Sequence, residues 1–150
     1  MRPDALPEAT MRRLALPTLA LALAMAASLT GCASTKRDDA LTRTLMRYAS
    51  AIRWGDFASA QGFVDKDYAA AHPMSSVEQA RLGQLRVTAY DEGGGPQPDG
   101  ENEVVQTVQI SVVNVNNQAE RSIVDHQRWH YDREKDRWSL MTGLPDFSPH

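Results

Sequence analysis

The spacing of apolar residues divides the chain into a helical first part and a strand-rich second part. Between Asp39 and Trp54, apolar residues recur every three or four positions, which is typical of a helix that buries one side. The predicted stripe consists of Leu41, Leu45, Tyr48, Ala49 and Ile52. Asp38 or Asp39 can cap the start of this helix, and Gly55 is suited to its end.

Two shorter helices are predicted after Gly55. Asp56 can cap the first of them through its carboxylate, and the apolar residues of that helix are Phe57, Ala60, Phe63 and Val64. Residues 65–74 have an irregular pattern with Pro73 as a breaker. Ser75 and Glu78 then match a capping box, which predicts a third helix ending near Gly83.

The second part alternates as strands do. Leu85, Val87 and Ala89 are separated by polar residues, and β-branched residues dominate positions 104–115. Glycine, proline, asparagine and charged clusters separate these runs. We predict a four-stranded antiparallel meander with strands near 85–91, 103–115, 120–132 and 137–143.

Within the third predicted strand, every second residue belongs to the same face. One face consists of Ile123, Asp125, Gln127, Trp129 and Tyr131, and the other of Val124, His126, Arg128 and His130. The first face carries the large apolar groups, so we predict that the helices pack against it. The result is an α+β fold, with a single domain at residues 39–145 and a C-terminal tail at 146–150.

The beginning of the chain predicts a signal peptide at residues 1–31. Arg12 and Arg13 precede an apolar stretch of 16 residues, from Leu14 to Leu29, and small residues follow it. As a helix, this stretch would span about 24 Å, which is shorter than the roughly 30 Å hydrocarbon core of a bilayer. A removable signal is therefore favoured over a retained membrane-spanning helix.

The four residues Leu29-Thr30-Gly31-Cys32 resemble the bacterial lipobox. The resemblance implies that a diacylglyceryl group is attached to the Cys32 thiol and that signal peptidase II cuts between Gly31 and Cys32. The new amino group is then acylated. A thiolate is the nucleophile that such a transfer needs. The alternative is an ordinary core cysteine, although an internal disulfide is excluded because the chain has one cysteine.

The same resemblance has consequences for location. Residues 32–38 would form a lipidated tether, which reaches about 20 Å if it is extended. Neither Ala33 nor Ser34 is the aspartate that resembles an inner-membrane retention signal. The implied location is therefore the outer membrane, facing the periplasm.

Two aromatic groupings stand out: Trp54-Gly55-Asp56 lies between two predicted helices, and Trp129-x-Tyr131 pairs with Trp138 across a charged turn. Over residues 40–143 this pattern resembles the NTF2-like, cone-shaped α+β fold, and a cystatin-like arrangement gives a similar pattern. The resemblance implies that isomerases and dehydratases of this class place proton-transfer groups inside the cone. Asp125 and Tyr90 are the two catalytic candidates here. The alternative is that Asp125 is a surface or edge residue.

Other chemistries receive little support. His126 and His130 would be about 13 Å apart along a strand, too far to share a metal ion, and no cofactor or metal is predicted. The glycines at 93–95 lack the lysine of a phosphate loop, and no serine triad can be assembled. The formal net charge of −3 argues against a nucleic-acid partner.

We therefore expect a lipoprotein whose non-enzymatic domain binds a ligand or an envelope protein. One alternative is an NTF2-like enzyme acting on a small hydrophobic molecule, which requires an enclosed cavity containing Asp125 or Tyr90. The other is a subunit of an outer-membrane assembly, which requires an exposed apolar patch.

The first ten residues are unusual for a signal peptide because they contain two acidic residues and two prolines, whereas a chain beginning at Met11 starts with Met-Arg-Arg. We predict that translation starts at Met11. Mass spectrometry of the uncleaved precursor checks this, with a silenced Met1 codon as the control that leaves the product unchanged. A precursor that retains Met1 would contradict it.

Overall fold

The computed structural model describes the backbone of residues 15–148 and the side chains of residues 34–148. The predictions on Met11, Arg12 and Arg13 fall outside the described residues. Internal contacts divide the chain into two units, residues 1–39 and 40–150. In the described part of the first unit the backbone is helical, and the second unit contains the sheet. No helix among the described residues has both the length and the apolar character needed to cross a bilayer.

The first helix, α1, is longer than predicted. It runs over Ala15–Arg53, so it does not begin at Asp38 or Asp39, and the backbone of the predicted tether is helical rather than extended. No glycine or proline lies between Ala33 and Arg53 to interrupt the hydrogen bonds of the helix. Its predicted end is confirmed, since Gly55 has a φ of +70° and its amide donates to the Ile52 carbonyl at 3.0 Å.

Two of the short helices begin at the predicted caps. Helix α2 covers Phe57–Gln61, and the Asp56 carboxylate accepts from the Ser59 amide at 3.0 Å. Helix α4 covers Ser76–Leu82 and begins at a complete capping box between Ser75 and Glu78. In both cases a short polar side chain satisfies amides that have no partner inside the helix.

The helix between them, α3 at Lys66–Ala71, was missed. The irregular pattern predicted for residues 65–74 is therefore wrong. The Asp65 carboxylate accepts from the amides of Asp67 and Tyr68 at 3.0 and 3.1 Å, and the following alanines favour the helix. Pro73 lies beyond the end of α3, where it does not interfere.

The predicted meander is confirmed as a curled antiparallel sheet, a half-barrel. Its strands follow the order β1, β3, β4, β5. Their bounds are β1 Leu85–Asp91, β3 Glu103–Asn114, β4 Glu120–Asp132 and β5 Arg137–Leu140. A two-residue strand that we did not predict, β2 at Gln97–Pro98, pairs with β3 on the same edge as β1. Strand β5 ends three residues earlier than predicted.

Strand β1 contains a bulge that changes which side chains face inward. Val87 pairs with Val112 and Ala89 with Ser111, so Thr88 has no partner opposite. The extra residue reverses the alternation after it. Tyr90 is consequently buried and Ala89 is exposed, whereas the sequence pattern had placed Ala89 with Leu85 and Val87.

The core lies between α1 and the inner face of the sheet. Trp129 is fully buried, and its ring meets Tyr48 edge-on with centroids 5.1 Å apart. Ile52 of α1 belongs to the same buried cluster. The predicted inner and outer faces of β4 are confirmed, since Gln127 and Trp129 are buried while Val124 is 60% exposed.

The segment after β5 is part of the core. Phe147 is only 6% exposed, and its ring packs on Phe57 with centroids 5.7 Å apart. The Arg121 guanidinium donates to the Phe147 carbonyl. Within the predicted C-terminal tail at 146–150, Phe147 therefore completes the apolar surface around α2.

Gly143 has a φ of +77°, and a Cβ at this position would lie 2.8 Å from Cε1 of Tyr68. We predict that Gly143→Ala lowers the free energy of unfolding by at least about 1 kcal/mol, because it adds backbone strain and a clash. Urea unfolding followed by tryptophan fluorescence measures the change. The matched control is Gly94→Ala, which has open space around the new methyl group; equal midpoints for the two variants would contradict the prediction.

Candidate functional site

A polar cluster lies on the inner face of the sheet and includes both sequence candidates. Gln127 is 2% exposed, and its Nε2 donates to Asp125 Oδ2 at 2.8 Å and to the Tyr90 hydroxyl at 3.2 Å. The Trp129 indole donates to Oε1 of the same glutamine at 3.2 Å. Asp125 and Tyr90 are thus brought together through Gln127.

Burial controls the electrostatics of this cluster. It raises the pKa of the Asp125 carboxyl, and the hydrogen bond from Gln127 and the charge of His126 oppose it. Burial likewise raises the pKa of Tyr90 to about 12. The pKa of Tyr48 is also raised, first by burial and then by the nearby Asp125 and Tyr90. Both tyrosines therefore remain protonated at neutral pH.

Two buried polar atoms near this region have no hydrogen-bond partner among the described residues. They are the hydroxyl of Tyr48 and Oε1 of Gln106. Each is a donor or acceptor that lacks compensation for lost hydration. The inner face therefore carries polar atoms whose hydrogen-bonding capacity is not satisfied by the neighbouring described residues.

Arg53 borders the cluster from the end of α1. Its guanidinium lies 5.1 Å from the centroid of the Tyr90 ring and donates to the Tyr90 carbonyl at 3.2 Å. Glu92 is 3.7 Å from the same guanidinium. Cation–π and charge contacts of this kind hold the arginine over the ring, so that it covers one side of Tyr90.

The outer face of the sheet holds the two histidines singled out in the sequence. His126 Nδ1 is 3.1 Å from the Thr107 hydroxyl, and His130 is 3.7 Å from Glu103. Arg128 lies between them along the strand and bonds Asp99 and Glu103 at 2.6 and 2.5 Å. Within residues that the structure describes, no group of three or more potential ligands could hold a metal ion.

A groove of about 510 Å³ lies away from this cluster. Side chains of α3 and α4, the adjoining ends of β1 and β3, and the segment after β5 line it, and neither Asp125 nor Tyr90 does. Its apolar lining includes Val64, Leu82, Leu85, Leu144 and Phe147, and its polar lining includes His72, Glu78, Arg81, Arg121 and Asp146. Mixed linings of this kind suit small amphipathic molecules.

Among the described residues that line the groove are an arginine with an unpartnered nitrogen and two stacked rings. The buried Nε of Arg121 has no partner within the described part of the chain, although another nitrogen of the same guanidinium donates to Phe147. The rings of Tyr68 and His72 stack with centroids 4.3 Å apart. The groove is thus lined by an arginine and by a stacked aromatic pair.

Sequence reasoning identified two members of the polar cluster and missed the others. Gln127 was predicted to face inward, and an amide between Asp125 and Trp129 on a buried face is a signal that it bridges them. Tyr48 was predicted only as a core residue. The groove had no sequence signal, because Arg121 and Phe147 meet only after folding.

The predicted lipidation and cleavage residues, Cys32 and Gly31, lie within the range of α1, and their side chains are outside the described residues. Their chemistry therefore remains a prediction. No family model matches the chain, and searches of curated proteins and of solved structures found no match either.

The raised pKa of Asp125 makes stability depend on pH. Between 3.8, its ordinary value, and the higher native value, the folded state binds more protons than the unfolded state. The contribution of the protonated Asp125 carboxyl to the free energy of unfolding is therefore fully present below pH 3.8 and is lost as the pH rises through the native pKa. We predict that Asp125→Asn is more stable than the parent at pH 7 and that the difference shrinks towards pH 4.

Urea unfolding at a series of pH values tests this prediction. The substituted amide keeps an oxygen that can accept from Gln127. The matched control is Asp67→Asn on the exposed surface of α3, for which we expect no such gain. Loss of stability in Asp125→Asn at pH 7 would instead indicate that the ionised carboxylate supports the fold.

Proposed function

We propose that the chain is a bacterial envelope lipoprotein, anchored through acyl chains on Cys32 and held at the outer membrane facing the periplasm. The observation that carries the proposal is the run Leu29-Thr30-Gly31-Cys32 after a basic start and an apolar stretch. Two or three acyl chains give lasting attachment, since each buried methylene contributes about 0.8 kcal/mol and one chain alone holds only marginally.

The domain beyond the tether acts, in this proposal, as a non-enzymatic binding or accessory module of NTF2-like or cystatin-like type. Helices packed against a curled sheet support that type. The groove supports binding, because its volume and mixed lining suit a small ligand with an apolar body and an acidic group. Arg121 lines the groove, and its guanidinium is the cationic group that meets the acidic group in this proposal.

A second candidate function is an NTF2-like enzyme acting on a small hydrophobic molecule. The observation in its favour is the pairing of Asp125 and Tyr90 through Gln127. A buried carboxyl with a raised pKa is suited to proton transfer. Two observations count against it. The groove does not reach either residue, and the Gln127 amide already donates hydrogen bonds to the Asp125 carboxyl and the Tyr90 hydroxyl.

A third candidate, a subunit of an outer-membrane assembly, is favoured by exposed apolar side chains. Met46 on α1 and Trp54 directly after it are 66% and 86% exposed. Exposed groups of this size often mark contact surfaces. This candidate agrees with the lipid anchor and differs from the first only in the kind of partner.

The anchor is tested by labelling. We predict that cells expressing the chain incorporate radiolabelled palmitate into it, and that Cys32→Ser abolishes the label and leaves the uncleaved precursor in the cell. The matched control is Ala33→Ser, which makes the neighbouring residue polar and keeps the thiol. If Cys32→Ser matures and fractionates with membranes like the parent, the proposal fails.

A further inference from the structure

We propose that the solvent-facing side of α1 docks onto an anionic phospholipid surface. We call this side the outer face of α1 and define it by Arg43, Met46, Arg47 and Ser50 of the helix and by Trp54, which directly follows its last residue. The inference rests on the proposed lipid anchor, which would keep the domain close to a bilayer.

The five residues form one continuous face. Arg43, Arg47, Ser50 and Trp54 follow one another at spacings of three or four residues, and Met46 lies three residues after Arg43, which brings side chains to the same side of a helix. The Trp54 amide donates to the Ser50 carbonyl at 3.0 Å, so the helical hydrogen bonding reaches this residue. All five are exposed, whereas Tyr48 and Ile52 on the opposite side of α1 are fully buried in the core. The helix therefore has one side committed to packing and another without a packing role in the domain.

Trp54 is the strongest feature of the outer face. It is 86% exposed, while the other tryptophans, Trp129 and Trp138, are 0% and 6% exposed. Gly55, with its φ of +70°, turns the chain directly after it. Tryptophan prefers the boundary between water and hydrocarbon, because its ring is apolar and its N–H is polar. Met46, 66% exposed, adds a second apolar group.

The charge on this side of the domain favours an anionic partner. Residues 40–54 contain three arginines and no acidic residue, with Asp38, Asp39 and Asp56 just outside this range, whereas residues 40–150 as a whole carry 11 basic and 15 acidic side chains. Arg53 is engaged with Tyr90 and Glu92. Arg43 and Arg47 have no acidic partner in the ion pairs of the described region. An anionic surface would thus attract this face and repel the acidic remainder.

Basic residues beside aromatic and apolar ones are the composition of helices that lie at a membrane surface. Each basic residue near an anionic bilayer contributes about a factor of five to binding, so Arg43 and Arg47 together contribute about thirtyfold. Seven residues separate Cys32 from Ala40. A lipid on Cys32 would consequently hold the domain at a high local concentration near the bilayer, where weak docking is sufficient.

The test uses Trp54 as its own reporter. The chain from Cys32 to His150, which contains every buried core residue that the structure describes, is coupled through its single thiol to a maleimide phospholipid in vesicles. This chemical anchor makes the measurement independent of whether cells acylate Cys32. The vesicles contain phosphatidylglycerol or only phosphatidylcholine, with a spin-labelled lipid as quencher. Because Trp129 and Trp138 are buried, quenching by the lipid reports on Trp54.

We expect quenching and a blue-shifted emission on phosphatidylglycerol vesicles. Both should be lost with phosphatidylcholine or high salt, and Trp54→Phe should remove the signal. The double substitution Arg43→Gln and Arg47→Gln should lower the ratio of anchored protein with a docked outer face to anchored protein with an undocked one about thirtyfold. The matched control, Lys66→Gln with Arg86→Gln, removes the same charge from exposed positions elsewhere and should leave docking unchanged.

The proposal is overturned if Trp54 of the anchored chain remains open to aqueous acrylamide on anionic vesicles. It is also overturned if the control pair lowers docking as much as the arginine pair, since net charge alone would then be responsible. Protection of Trp54 by a protein partner but not by vesicles would assign the face to that partner instead. Failure of palmitate labelling in cells would refute the natural anchor and would leave the vesicle result to be judged separately.

Discussion

The burial of the Trp129 indole is the constraint on which the inner face of the sheet depends. Its ring fills the space against Tyr48, and its N–H, once removed from water, requires an acceptor. Gln127 supplies that acceptor, which leaves the amide nitrogen of Gln127 to bond Asp125 and Tyr90. A packing requirement at one residue thereby fixes the orientation of a glutamine and places two titratable groups beside each other.

The sequence predicted the features of the fold that depend on local pattern. The strand positions and the inner face of β4 were readable because only one face of this sheet is covered, which enforces alternation. The caps at Asp56 and Ser75 were readable because they satisfy nearby amides. Features that depend on distant contacts were not readable: the packing of Phe147 on Phe57, and the place where β5 ends.

The candidate site was predictable to the same extent. Asp125 and Tyr90 were found separately, one from its strand face and both from a family resemblance, but the amide that joins them was not assigned. Helix α3 escaped prediction because its six residues are too few to show a helical spacing of apolar positions. The proposed location and attachment, by contrast, rest on residues before Ala33, so they are inferred from the sequence around Cys32 and not from the folded domain.

Because Thr88 is unpaired, β1 should tolerate the loss of one residue better than β3 and β4 do. A deletion at the bulge would restore regular pairing and keep the Tyr90 ring turned inward, since the residues after it would retain their partners on β3. Strands β3 and β4 pair without interruption, so losing a residue from either would turn every later side chain to the opposite side. Among related chains, single-residue gaps should therefore accumulate in the first strand and be rare in the two long ones.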